Sequence, residues 1–342
     1  MNKVITYGVM GAGGIAQRRV MPAFQNTKHS VLAAVCSRSQ DRATELAKQF
    51  QAAGAFDDAG DMWNLVDAVY VATPVHCHLE DARRVIAAGK HLLIEKPLAR
   101  TVDEARKIQT LCERAGIFAM EAYMMKFHPA HAAIHEAVQA GTLGRIVQAR
   151  ARLGCWYPDQ PGAWRQDPEL GGGGALVDLG SHLIDLLRWM LGPIHSVRAL
   201  CNTQVFKYRS EDSATLLLEF QSGAHGVVEA YFSFPDQAGT GVLEITGTRG
   251  RVVAENTIGQ NGDGRVRWDR FPDQQTYNPR QDAAGNGAQR TLEYARFDLY
   301  AAQLDYFSSC ILQNQPPALN RLEDGVETLQ WIARAYEDSA RS

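Results

Sequence analysis

The first chemically loaded pattern in the chain is Gly11-Ala12-Gly13-Gly14-Ile15-Ala16, which follows directly on a strand-like run from Lys3 to Met10. Its GxGxxA spacing suits the cradling of a phosphate anion. Gly11 permits a tight turn, Gly13 removes the Cβ that would hold a pyrophosphate away from the backbone, and Ala16 lets a helix pack closely on the strand. Gly14, Ile15 and Ala16 would open that helix, whose first N–H groups lack partners and can face the anion. The second strand-like run, Val31 to Cys36, leads into Ser37-Arg38 and offers no carboxylate until Asp41. An NAD site is expected to place an acidic residue there for the ribose 2′-hydroxyl. A serine hydroxyl and a guanidinium suit a 2′-phosphate instead. The expected cofactor is therefore NADP, with use of NAD left open.

The elements that would position this loop alternate. Strand-like runs recur at Asp67–Thr73, His91–Glu95 and Ile117–Met120, with helical stretches between them. Leu79, Ala82, Val85 and Ile86 share one helix face, Gly89 is placed to end that helix in a left-handed turn, and Thr101 and Glu104 have capping-box spacing. Alternating strands and helices imply a parallel sheet with ligands beyond its carboxyl ends. Pro22 should bend the first helix or divide it in two.

A chain of 342 residues is long for one core and suggests two domains. The expected division is an α/β Rossmann domain over 1–122 and an α+β substrate-binding domain over 123–342, with the C-terminal helix free to pack back on the first. His128-Pro129 should open a helix, proline being tolerated at its first position. Strand-like segments at Ile146–Leu153, Val197–Phe206, Ala214–Phe220, Ala224–Phe234, Val242–Thr246 and Arg251–Glu255 suggest a large sheet joined by hairpins. Leu322 to Tyr336 has helical spacing, whereas residues 256–289 read as a long polar excursion or a subunit contact.

A net charge of -3 argues against nucleic-acid or membrane-surface partners, which need a basic face. The N-terminus lacks the form of a secretory signal and no apolar run approaches the roughly 20 residues of a membrane span, so the cytoplasm is the expected location. The six cysteines are scattered without a CxxC pair, and His76 and His78 flanking Cys77 supply no complete ligand set, so no metal is expected.

Four motifs in order resemble the Gfo/Idh/MocA family, named for glucose-fructose oxidoreductase, inositol dehydrogenase and a rhizopine catabolism protein. They are the Gly11 loop, Thr73-Pro74 with His78 shortly after, Glu95-Lys96-Pro97, and Asp178-Leu179-Gly180-Ser181-His182. The resemblance continues through Thr246-Gly247-Thr248-Arg249-Gly250 into the C-terminal helix, and so covers nearly the whole chain. It implies a Rossmann domain followed by a large, open, mostly antiparallel sheet, with the active site between them and a homodimer or homotetramer formed through that sheet. It also implies that Thr73, Pro74, His78, Glu95 and Lys96 lie along the cofactor, that Asp178 contacts substrate, and that His182 exchanges the proton.

These roles have chemical reasons of their own. Histidine's ordinary pKa of about 6.5 suits the proton transfer that must accompany a hydride transfer at a carbinol carbon. Lys96 would stabilise developing alkoxide charge. If a helix begins near Ala175, Asp178 and His182 share a face, with Ile184, Leu187 and Leu191 on its buried side. Tyr123 and Lys126 are candidates for the cleft, and Trp156, Tyr157, Trp164 and Arg165 form a candidate sugar-binding loop. The expected reaction is NADP-dependent hydride transfer at a secondary alcohol or carbonyl of a sugar, polyol or cyclic diol. Two alternatives remain: a nucleotide-dependent glycosidase with transient redox chemistry, and a non-catalytic NADP-binding sensor.

Overall fold

Buried aliphatic runs dictate the first sheet. The computed structural model describes residues 3–239, 241–271 and 288–341. Strands β1 (Ile5–Met10), β2 (Ser30–Cys36), β3 (Gly54–Phe56), β4 (Ala68–Val71), β5 (His91–Ile94) and β6 (Ala119–Glu121) pair in parallel in the order β3-β2-β1-β4-β5-β6. All four residues of β4 are buried, as expected for a strand covered by helices on both faces. The strand order reverses between β1 and β4, which opens a crevice at their carboxyl ends. Gly11 stands directly at that point.

The second sheet contains β7 (Ile146–Gly154), β8 (Ile194–Asn202), β9 (Ser213–Phe220), β10 (His225–Tyr231), β11 (Val242–Gly247), β12 (Gly250–Glu255), β13 (Gly264–Arg270) and β14 (Ala288–Tyr294). Its order is β14-β13-β12-β11-β7-β10-β9-β8, with β7 and β10 parallel and the other pairings antiparallel. Burial alternates along β12, where Val252 and Ala254 are buried and Arg251, Val253 and Glu255 are half-buried. One face is therefore core. The helix Ser181–Leu191 packs there, so fully enclosed that both Ile184 and Leu186 are buried, with Leu191 only partly so.

Two C-terminal helices tie the sheets together. Leu299–Gln313 returns to the first sheet, where Ser308 Oγ lies 2.9 Å from Tyr7 Oη and the Asp305 carboxylate accepts the backbone N–H of Lys28 and His29, each at 2.8 Å. Leu322–Ser339 packs on both β8 and the Val102–Ala115 helix, so the C-terminal helix does pack back on the Rossmann domain.

Several local expectations change. Pro22 does not divide the first helix; the chain passes from a π-turn (Ala16–Val20) through one α-turn into a 3-10 turn, and the wider turn accommodates the missing N–H. Thr101 accepts the Glu104 N–H at 3.2 Å, but the Glu104 carboxylate turns to Arg100, so the capping box is half formed. Gly89 has φ of 67°, the expected left-handed end. The polar excursion at 256–289 contains β13 and the start of β14, while residues 272–287 lie outside the described residues. No helix among the described residues is long and apolar enough to cross a membrane.

Burial of neutral imidazoles makes this fold acid-sensitive. His131 donates from Nδ1 to the Met125 carbonyl at 2.8 Å while Thr257 Oγ1 lies 2.9 Å from its Nε2. Burial, with His128 alongside, pushes its pKa down to about 3, and burial pushes His78 down to about 4. Below the unfolded value of about 6.5 the unfolded chain binds protons that the folded one refuses. Each such histidine then removes about 1.4 kcal/mol of stability per pH unit until its folded pKa is reached. The urea midpoint should therefore fall between pH 6.5 and 4.5, and less steeply in His131→Gln; equal slopes would contradict this origin.

Candidate active site

The cleft is built from the loops that leave β1, β2, β4 and β5, and from the start of the Ser181–Leu191 helix. At the β1 end, a Cβ on Gly11 (φ 98°) would lie 2.7 Å from the Ala72 carbonyl carbon, so this turn requires glycine. A Cβ on Gly13 would meet nothing within 4 Å, which leaves open space for a pyrophosphate to approach the backbone. Ala16 is fully buried under the helix and Ile15 packs against the core. The residues present thus fit a dinucleotide.

At the end of β2, Ser37 is half-buried and Arg38 exposed. Both directly follow β2, on the carboxyl-end side where the crevice opens. Arg42, which the sequence reading missed, hydrogen-bonds Gln17 across the same mouth. No motif marks Arg42; only its place in the first turn of the Gln40–Phe50 helix, after Ser37-Arg38, could have drawn attention to it.

Thr73 and Pro74 close β4's loop, and His78 holds that loop to the next. Its Nε2 lies 3.0 Å from the Thr73 carbonyl and its Nδ1 3.1 Å from that of Pro97. The ring is buried between these carbonyls and, being neutral, donates its one N–H to one of them, which ties the loop to its neighbour. Glu95 is likewise buried. It accepts the Tyr70 hydroxyl at 2.7 Å and the Lys96 N–H at 3.2 Å, and burial raises its pKa against both bonds.

Lys96 crosses to the second domain. Its Nζ donates to the carbonyl oxygen and to Oδ1 of Asp178, both at 2.8 Å. Arg165 Nε is 3.1 Å from the same carboxylate oxygen. Burial alone would raise the Asp178 carboxyl, but the charges of Arg165 and then Lys96 hold it well below the usual range. An ammonium has three protons. Two serve Asp178, and the third has no acceptor among the described residues.

Asp178 sits in a π-turn, Leu176–Gly180, and His182 in the α-helix that follows. The expected regular helix from Ala175 is thus widened at its start, a distortion common at functional sites. Burial, reinforced by the Lys96 charge and opposed by Asp178, holds the His182 pKa well below 6.5. The imidazole is therefore neutral at neutral pH, further from its ordinary value than the sequence suggests. Its Nδ1 is buried without a hydrogen-bond partner.

The remaining candidates divide. Trp164 stacks beneath Arg165, whose guanidinium carbon is 4.1 Å from the ring centroid. Tyr123 packs edge-on against His182 at 5.4 Å and is buried, behind the imidazole. Lys126 does not join the cluster; it donates to Asp185 at 2.7 Å, and both are buried. Trp156 lies exposed, packed edge-on against Phe206, beyond the end of β7. His76 and His78 gather no third ligand, and no metal-competent group of three is present among the described residues.

If Ser37 and Arg38 hold a 2′-phosphate, Arg38→Ala should weaken NADPH at least tenfold while changing NADH little, measured by fluorescence titration. An unchanged ratio of the two affinities would remove Arg38 from cofactor selection.

Comparison with known proteins agrees with this geometry. Residues 5–123 match the Gfo/Idh/MocA oxidoreductase family model with its NAD-binding Rossmann fold, and residues 131–253 match that family's C-terminal domain. The chain is 28% identical to D-xylose 1-dehydrogenase (NADP(+)) 2 of Haloferax volcanii over 97% of each protein. It is 30% identical to 1,5-anhydro-D-fructose reductase of Ensifer adhaerens, covering 94% of this chain and 92% of that one. Among solved structures, aldose-aldose oxidoreductase of Caulobacter crescentus, complexed with glycerol, superposes with a TM-score of 0.87 at 26% identity over 99% and 98% of the two chains. The chain is an NAD(P)-dependent oxidoreductase and belongs to the Gfo/Idh/MocA family.

Proposed function

We propose that this chain moves a hydride between nicotinamide C4 of NADP and a secondary alcohol or carbonyl carbon of a sugar, polyol or cyclic diol. The observation that carries the reading is the meeting of Lys96, Asp178 and neighbouring His182 at the carboxyl end of the Rossmann sheet. NADP is favoured by Ser37 and Arg38, and by the cofactor named in the Haloferax relative. Carbohydrate substrates are favoured by the names of both relatives. The nicotinamide, when bound, supplies or accepts the hydride.

The chain's own residues manage the proton and the charge. In the oxidative direction the remaining Lys96 N–H holds the substrate hydroxyl, and neutral His182 accepts its proton as the carbon–oxygen double bond forms. Lys96 stabilises the negative charge on oxygen during transfer. Asp178, ionised between two cations, keeps the Lys96 ammonium aimed. Trp164 and Arg165 present a ring face and a guanidinium to the sugar. In the reductive direction the same imidazole, once protonated, returns the proton.

We further propose the division at 1–122 and 123–342, which would put Lys96 in the first domain and Asp178 in the second. We also propose assembly as a homodimer or homotetramer through the open face of the second sheet, supported by Leu200 and Leu217, which are 65% and 58% exposed there.

A screen at 340 nm against sugars, inositols, anhydrosugars, diols and dicarbonyls should show turnover with NADP exceeding that with NAD. His182→Ala should lower kcat at least 100-fold while sparing NADPH binding. Because the base is neutral until well below pH 6.5, kcat/KM for oxidation should stay flat from pH 8 to 6.5 and fall only in more acid solution. A wild-type descending limb already at pH 7, or full turnover in His182→Ala, would contradict the assignment.

A further inference from the structure

The connection between β8 and β9, residues 203–212, touches both halves of the site. Its last turn grips the entry to the catalytic segment. Glu211 Oε2 accepts the Gly174 N–H and Oε1 the Leu176 N–H, both at 2.9 Å, while the Glu211 carbonyl accepts the Ala175 N–H at 3.1 Å. Tyr336 of the C-terminal helix donates its hydroxyl to the same Oε1 at 2.8 Å. The fit admits only glycine: a Cβ on Gly173 would lie 2.1 Å from the Tyr336 hydroxyl, and one on Gly174 would lie 2.0 Å from the Glu211 carbonyl oxygen. The π-turn that carries Asp178 begins at Leu176.

The same connection holds the substrate loop. Ser210 N donates to the Gln166 carbonyl at 3.2 Å, and the Tyr208 hydroxyl donates to the Tyr157 carbonyl at 3.1 Å. Arg209 pairs with Asp167 at 3.2 Å and with Glu169 at 2.8 Å. Its shape is fixed from within, since the Asp212 carboxylate accepts the N–H groups of Gln204, Val205 and Phe206. Trp164 and Arg165 therefore hang on one side of this connection and Asp178 on the other.

We propose that Glu211 is a positioning residue: it couples the loop bearing Trp164 and Arg165 to the segment bearing Asp178 and His182, and so sets the Lys96–Asp178 contact. The proposal rests on the oxidoreductase reading of the site. A carboxylate suits the position because two backbone donors and a phenol converge on it, and because negative charge is favourable at the start of a helix. Displacing reacting groups by about 1 Å can cost about 100-fold in rate.

The test compares Glu211→Ala, Glu211→Gln and Tyr336→Phe with a control, Glu113→Ala, which removes only an exposed hydrogen bond with Gln109 on the Val102–Ala115 helix. Glu211→Ala should lower kcat 10- to 100-fold with NADPH affinity unchanged within twofold. Glu211→Gln, which keeps one acceptor, should recover part of the rate, Tyr336→Phe should lose less, and the control should match wild type. A second readout needs no substrate: the His182 ring signal in carbon-13 NMR should shift in Glu211→Ala and stay put in the control. Absence of turnover in the wild-type protein would fail the reaction reading, while this signal would still judge Glu211. An unmoved His182 signal, or wild-type kcat accompanied only by a lower melting temperature, would overturn the proposal.

Discussion

The Asp178 carboxylate, shared between Lys96 and Arg165, is the interaction on which the site depends. Lys96 extends from the end of a parallel strand in the Rossmann domain, whereas Asp178 and Arg165 belong to the second domain. Lys96 and Asp178 are only partly exposed, so their attraction is screened less than that of a surface pair, and removing one partner would leave the other charge uncompensated. The cleft geometry is thus fixed by a contact that neither domain can satisfy alone. Burial first, and then the Lys96 charge, keep His182 neutral against the opposing pull of Asp178, while the same contact leaves one Lys96 proton free.

Around that contact, the fold supplies rigid supports that carry no chemistry themselves. His78 joins the β4 and β5 loops through backbone carbonyls. Tyr70 steadies Glu95 beneath Lys96. The Lys126–Asp185 pair lies one helical turn beyond His182 on the catalytic helix, where an isolated buried charge would be costly. The helix Leu299–Gln313 and the C-terminal helix then bind the second domain to the first, which keeps Lys96 and Asp178 within reach of each other.

Much of this was legible in the sequence because it depends on local pattern. The Gly11 turn, the alternating strands, the Gly89 helix end and the four-residue step from Asp178 to His182 all follow from spacing. The resemblance added Lys96 to the cluster. What escaped was set by tertiary partners. His78 has the right place for a ligand, and only the fold shows its ring buried between carbonyls of two different loops. Lys126 looks available until Asp185 is placed beside it. Trp156 shares a loop with Trp164, but it packs against Phe206 on the β8–β9 connection, a partner distant in sequence. The short β3 and the charged β13 lack the hydrophobic run that marks a strand, and Glu211 gives no sequence signal because its partners are backbone N–H groups and a tyrosine far along the chain.

The central claim is that hydride passes between nicotinamide and the substrate carbon with net oxidation or reduction. Its most direct measurement is label transfer: NADPH carrying deuterium at C4 is incubated with the carbonyl substrate found in the 340 nm screen, and the product is analysed by mass spectrometry and NMR. The account predicts one deuterium at the new carbinol carbon, with stoichiometric loss of NADPH. Product lacking the label, or cleavage without net loss of NADPH, would contradict it.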